Sequence, residues 1–440
     1  MEKPSKKLKH NSIINQKINL CYNQLMRHRK STIPIIFFIT AITVCLVLFF
    51  VTKNNHTISD TSIEEPYIEE KPKTMVAVTD FYDSTQAISS ADLSKYKQIP
   101  IDELTPDQKL LSVDGKYPLD DYETNQIFTI NQTGTTAIGR RLFYRIKDTG
   151  DGAQFAENIK DFLSKTDLTH ISNEVSFADD CDSGLTMIFC TSYLAYDTIE
   201  AIGTDVIELT GNHNNDWGAN ANLATIDFYH EKGIKTFGGG KNEDEASVPL
   251  DFSEKGTNLT WIAINNSTSS KENGQGATAT HPGANIYDET TTRAQIAEAK
   301  AKGNYVIVDV QYSECYCYPD YGVEYPACDG PISGQTEFFR SLIDMGADMV
   351  VGTSAHQPQT YELYHGKPIY YGLGNLFFDQ TMWPDTAKGY ILTHYFKDGK
   401  LLQTRINPTI YDTSYKTKLM DNTSAEAFLA RLLDSSPRGL

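Results

Sequence analysis

From residue 127 onward the hydrophobic positions fall into two alternating kinds of run. IFTINQTGTTAI (127–138), THISNEVSF (169–177), DVIELTG (205–211), TNLTWIAINN (257–266), NYVIVDVQY (304–312) and ADMVVGT (347–353) are short and β-branched, bounded by Gly, Asn and Asp, and predict strands. Between them, GAQFAENIKDFLSKT (152–166), TSYLAYDTIEAIG (191–203), ANLATIDFYHEKG (221–233), TTRAQIAEAKAKG (291–303) and SGQTEFFRSLIDMG (333–346) have helical spacing and mostly stop at a glycine. After that the pattern turns to strands alone: KPIYYGL (367–373), then GYILTHYF and LLQTRI around Asp398–Gly399, a hairpin signature. The rhythm predicts an α/β fold in which loops after the strands carry function. Residues 75–126 read as a small accessory segment, with VAVTDFY strand-like and SADLSKYKQ opening on helix-capping chemistry. Residues 413–440 read as a polar, loose tail.

The longest apolar run lies elsewhere. Thr32 to Val51 (TIPIIFFITAITVCLVLFFV) has no charge over twenty residues. At about 1.5 Å per residue this spans the roughly 30 Å hydrocarbon core. Arg27, His28, Arg29 and Lys30 precede it, and Asp60, Glu64, Glu65, Glu69 and Glu70 follow. The positive-inside rule makes 1–31 a cytoplasmic basic tail, 32–51 a single transmembrane helix and 52–74 a flexible acidic stalk, with the main domain outside the cell. A cleaved signal peptide is the alternative, but the run is long and no small-x-small cleavage site follows it.

Charge agrees with this division. The first thirty residues hold eight Lys/Arg against one acid, so the chain's net −18 places −25 on the remainder. An acidic body is a poor nucleic-acid partner. Of seven cysteines, Cys21 and Cys45 fall on the inner side and in the span; Cys181, Cys190, Cys315, Cys317 and Cys328 fall outside, where disulfides persist. Cys181 and Cys190 are the expected pair, and Cys328 can take either Cys315 or Cys317.

Polar, metal-capable residues recur just after the strands: Asn173 and Glu174; Asn212, His213 and Asp216; Gln311 and Glu314; Thr353, Ser354 and His356; Asn375 and Asp379. One such residue is usually a turn former. Several on successive strands converge on one sheet edge and predict a cleft.

These blocks resemble a known family. GNHNNDWG (211–218) resembles the GNH[DE] block of calcineurin-like metallophosphoesterases and, more closely, the NNH-x-x-D-x-G block of the CapA-type family of capsule and poly-γ-glutamate synthesis. DLTHISNEVSF (167–177), VQYSECYCYP (310–319) and residues 334–380, with GADMVVGTSAH, GKPI and YGLGNLFFD, resemble further blocks in the same order. The resemblance covers roughly 127–412 and implies a metallophosphoesterase-like α/β/β/α sandwich. It also implies Glu174, Asn212 and His356 as metal ligands and His213 as proton donor or phosphate clamp, with Asp216 beside it. Three family positions depart: Thr135 stands for an Asp, Gln311 for a His, and Thr353 or Ser354 for a His. Arg140, beyond the first strand, is a candidate anion-binding group in the catalytic set. The expectation is at most one divalent metal (Zn, Mn or Fe), or none. Two readings stand: metal-assisted hydrolysis or transfer on an anionic envelope polymer or its precursor, or a non-catalytic protein that binds or tethers that polymer. The membrane and other capsule-synthesis membrane proteins are the expected partners.

Overall fold

The computed structural model describes residues 73–182, 184–266, 274–314, 328–383 and 385–438. The expected cytoplasmic tail and membrane helix, the stalk up to residue 72, and Cys21, Cys45, Cys315 and Cys317 lie outside them. Among the described residues no helix is long and apolar enough to cross a membrane.

Three strands open the described chain: β1 (Met75–Asp80), β2 (Lys97–Pro100) and β3 (Gln108–Leu110), an antiparallel sheet in the order β2-β1-β3. Then come β4 (Phe128–Thr136), α1 (Arg140–Thr149), β5 (Leu168–Asn173), α2 (Tyr196–Ala201), β6 (Val206–Glu208), α3 (Ala219–Glu231) and β7 (Lys235–Phe237). A second run comprises β8 (Leu250–Glu254), β9 (Thr257–Asn265), α4 (Glu289–Ala301), β10 (Tyr305–Gln311), α5 (Gln335–Met345), β11 (Met349–Thr353), β12 (Tyr361–Tyr364) and β13 (Lys367–Tyr370). Last are β14 (Asn375–Phe377), β15 (Lys388–Lys397), β16 (Lys400–Ile410), β17 (Lys418–Leu419) and α6 (Asn422–Asp434).

The first large sheet has the order β17-β16-β15-β4-β5-β6-β7, with β14 beside β4. The second has the order β8-β9-β10-β11-β13-β12. Strands β4 to β7 run parallel, as do β9, β10, β11 and β13. Ile130, Leu168 and Val206 of one sheet and Trp261, Ile307 and Val351 of the other share one buried cluster, so the sheets face each other. Ile171 and Ile207 pack outward against Leu142, Ile199 and Ile226 of the helices. Ile262, Val308 and Val350 pack outward against Ile296, Phe339 and Leu342. The layers are therefore helix, sheet, sheet, helix, an α/β sandwich in which each mixed sheet has a parallel centre covered on both faces and antiparallel strands at its edges.

Two expectations are corrected. The tail beyond 413 is not loose: α6 is capped by Asp421, whose carboxylate accepts from the Ser424 amide at 2.9 Å, and it buries Phe428, Leu429, Leu432 and Leu433. Residues 152–166 are not one helix but a 3-10 turn at Gln154–Ala156 and a short turn at Lys160–Leu163. Gly152 lies against the Leu194 carbonyl with no room for a Cβ, and Thr198 donates to the Gly152 carbonyl. Tertiary contacts thus set this path over helical propensity. The true helix is α1, just upstream, closed by Gly150 at φ 68°.

Candidate functional site

The parallel strands of both sheets end on the same side, and the polar residues that follow them meet there. Gly211 permits this closeness, since a Cβ on it would stand 2.8 Å from the Glu174 Cα. Glu174, which follows β5, is buried, and the Gln311 side-chain amide at the end of β10 donates to its Oε1 at 3.1 Å. The same Gln311 nitrogen donates to Asn212 Oδ1 at 3.1 Å, and Thr353 donates to Gln311 Oε1 at 3.1 Å. Asn212 in turn donates to Glu314 at 3.1 Å. A carboxylate only accepts, so Glu174 fixes which way the Gln311 amide faces.

His213 is held through Nδ1 by Asp216 at 2.6 Å, while its Nε2 stands 3.7 Å from Glu314, an ion-pair distance too long for a hydrogen bond. Burial favours its neutral ring, but Asp216 and Glu314 outweigh burial and push the imidazole up to about 10. Burial likewise raises Glu314, yet His213 and His356 hold it down at about 2. Glu174 is raised by burial, against the opposing charges of His356 and His213. His356 Nδ1 lies 2.9 Å from Asn375 Oδ1, and Asn375 donates to Gln380 and the Thr386 carbonyl.

Two aromatic rings escape the sequence reading. Phe189 packs on His213 at 4.3 Å between centroids, and Phe378 on His356 at 4.8 Å. Arg140 sits over both rings, 4.5 and 5.3 Å from their centroids. The Cys181–Cys190 disulfide, as expected, closes the loop that presents Phe189, with Cα atoms 5.7 Å apart; Cys328 is disulfide-bonded too. Apolar residues next to a cysteine look like core, so only the disulfide hinted at Phe189.

Of the predicted site residues, Glu174, Asn212, His213, Asp216, Gln311, Glu314 and Thr353 form one connected network, with His356 and Asn375 beside it. Asn173 does not join them; its amide donates to the Val175 carbonyl at 2.8 Å, a turn role. Arg140 is buried, has φ 47° and is ion-paired with Asp379, so its charge is already matched.

The donor set does not fit a two-metal centre. The Gln311 NH2 group donates to both Glu174 and Asn212, two of the residues that would hold a cation. Thr135, at the position of a family Asp, offers only a buried hydroxyl that finds no partner. Among the described residues no group of three or more His, Cys, Asp or Glu is placed to hold a metal ion. Neutral amide and hydroxyl oxygens are weak ligands for transition metals.

A two-sheet α/β sandwich with an Asn-His-Asp cluster at its strand ends is the class that this geometry defines. Residues 129–380 match the family described as bacterial capsule synthesis protein PGA_cap, and the chain belongs to it. It is similar to the capsule biosynthesis protein CapA of Bacillus anthracis, 28% identical over 208 residues, covering 46% of this chain and 47% of that protein. It is similar to the PGA biosynthesis protein CapA of Bacillus subtilis (strain 168), 26% identical over 203 residues, covering 46% of this chain and 50% of that one. A probable polyglutamine synthesis accessory protein of Mycobacterium tuberculosis is 35% identical over 83 residues, 19% of each chain. The chain thus matches about half the length of the two Bacillus relatives. Among solved structures, the Haemophilus influenzae NAD nucleotidase aligns with a TM-score of 0.36 and 11% identity, covering 71% of this chain and 63% of that one.

Proposed function

We propose that this chain is a membrane-anchored, extracytoplasmic protein of capsule or poly-γ-glutamate-type polymer synthesis, and that its strand-end site binds the anionic polymer or its precursor without hydrolysing it. One observation carries the reading: two buried polar atoms at the site, Glu174 Oε2 and His213 Nε2, have no hydrogen-bond partner within the protein. Leaving such atoms unpaired costs about 1–3 kcal/mol each, so a ligand that completes them gains affinity. One is a carboxylate oxygen that accepts; the other belongs to an imidazole held cationic, which donates. An amide N–H and a carboxylate on one ligand match that pair. A histidine held up to about 10 is a fixed donor rather than a proton shuttle near neutral pH. The resident Cys181–Cys190 disulfide supports an oxidising compartment.

The unpartnered Glu174 oxygen also favours a second reading, one divalent ion held by Glu174, Asn212 and His356 after Gln311 moves aside. Elemental analysis of the full chain in detergent, with turnover of a generic phosphoester, separates the two. The expected result is less than one metal per chain and no turnover above background. Metal content should rise in the Thr135→Asp/Gln311→His variant. A tightly bound metal in the wild type, with turnover that chelation abolishes, would establish the metal-assisted reading instead.

A further inference from the structure

A cavity of about 330 Å³ lies far from this site. Tyr305 opens β10, Asp348 precedes β11 and Lys367 opens β13, and all three line it. The cavity therefore sits at the beginnings of the strands whose ends, Gln311 and Thr353, belong to the strand-end site. Its volume is in the range of small-ligand sites. Tyr370, Leu401 and Pro368 give it apolar walls.

Its charge runs against that of the whole chain. Lys300, Lys367 and Lys400 line it against the single acid Asp348, leaving two positive charges on a protein of net −18. Lys300 and Lys367 share that one carboxylate, at 2.5 and 3.5 Å. Lys400 makes no ion pair among the described residues. The accessory segment, otherwise without a role, supplies a wall through Phe81, Thr105, Pro106 and Gln108. That wall is fixed in place: Gln403 donates to the Gln108 carbonyl at 3.1 Å, the Tyr82 hydroxyl accepts from the Leu363 amide at 2.9 Å, and the Phe81 ring meets Tyr361 edge-on at 5.4 Å.

We propose that this cavity is a second binding site, taking a segment of a carboxylate-bearing, amide-linked chain, with the lysine ammoniums meeting carboxylates and the Gln108 and Gln403 side chains meeting amides. The apolar walls strengthen those contacts by excluding water. A local cationic pocket is how an acidic protein holds a polyanion that its surface otherwise repels. A chain bound at both ends of the sandwich gains from linked binding, since holding one segment raises the effective concentration of the next. The ligand class rests on the polymer reading above; the location does not.

The test is calorimetric titration of the full-length chain in detergent with a γ-linked glutamate tetramer. The neutral γ-linked glutamine tetramer is the control. The wild type should take up two glutamate tetramers per chain, and the neutral control should bind at least about tenfold more weakly at the cavity. Lys400→Gln should weaken the cavity site about fivefold, the scale of one exposed ion pair, and raised salt should weaken it further. Lys400→Arg should restore it. The Lys300→Gln/Lys400→Gln variant should keep only the strand-end site, and His213→Ala only the cavity. One site, kept in the lysine variants and lost in His213→Ala, would overturn the cavity and leave the polymer reading standing. One site, lost in the lysine variants, would support the cavity and overturn binding at the strand ends. No uptake at all would overturn both.

Discussion

Glu208 on β6 is fully buried, with Asp309 across the sheet interface and His170 3.2 Å from Asp309. Burial first, then the Asp309 charge, push its carboxyl up to about 8, although the Thr210 amide donates to it at 2.8 Å. The unfolded chain binds that proton only below about 4.5, so between about 4.5 and 8 the folded state holds more protons. Stability from this group is therefore present below the unfolded pKa and is lost as pH rises through about 8, by at most about 1.4 kcal/mol per pH unit. Glu208→Gln keeps the shape and removes the titration, so its urea-unfolding free energy should vary less between pH 5 and 8 than that of the wild type. Equal slopes would refute the assignment. Glu208 did not stand out in the sequence, because an acid within DVIELTG reads as the solvent side of a strand. Glu174, Asn212, His213 and Gln311 stood out because metal-capable residues recur at the ends of successive strands, where a single one would read as a turn former. Their pairing, above all the Gln311 amide between two would-be ligands, follows from distances that no spacing encodes.

At the scale of elements, the β–α rhythm was readable because parallel strands buried on both faces are continuous apolar runs. The C-terminal helix was not, since thirteen residues beginning NTSAEA look polar until Phe428, Leu429, Leu432 and Leu433 are seen on one face. That face joins the cluster between the two sheets, together with Phe128, Tyr361 and Ile406. The helix is thus part of the core. Leu429→Ala should cost about 2–5 kcal/mol in urea unfolding, the range for emptying a buried leucine site. Leu419→Ala, at a position 38% exposed, should cost much less. A loss under about 1 kcal/mol for Leu429→Ala would show that the helix is only loosely docked. Helix α1 escaped for a similar reason: RRLFYRIKDT carries five charges over ten residues and reads as surface, yet Leu142, Phe143 and Ile146 are buried.

For the whole molecule, the proposed function requires that the acidic body lie on the outer side of a membrane anchor. Under the proposed anchoring, twenty uncharged residues with basic residues before them and acids after them predict an N-in span, since the opposite orientation would carry the basic cluster across the membrane. The Cys181–Cys190 disulfide argues the same way, because such bonds persist outside the cytosol. The proposed contact with a finished envelope polymer rests on this topology. Protease added to intact cells, with one epitope at each terminus, should remove the C-terminal epitope and leave the N-terminal one on a small membrane-bound fragment. Moving the cluster Arg27, Arg29 and Lys30 to the other flank of residues 32–51 should reverse the pattern. The disulfide should then be absent in non-reducing peptide maps, because the body would face the reducing cytosol. A body protected in the unaltered chain would overturn the outward placement, and with it the proposal that this chain meets the polymer directly.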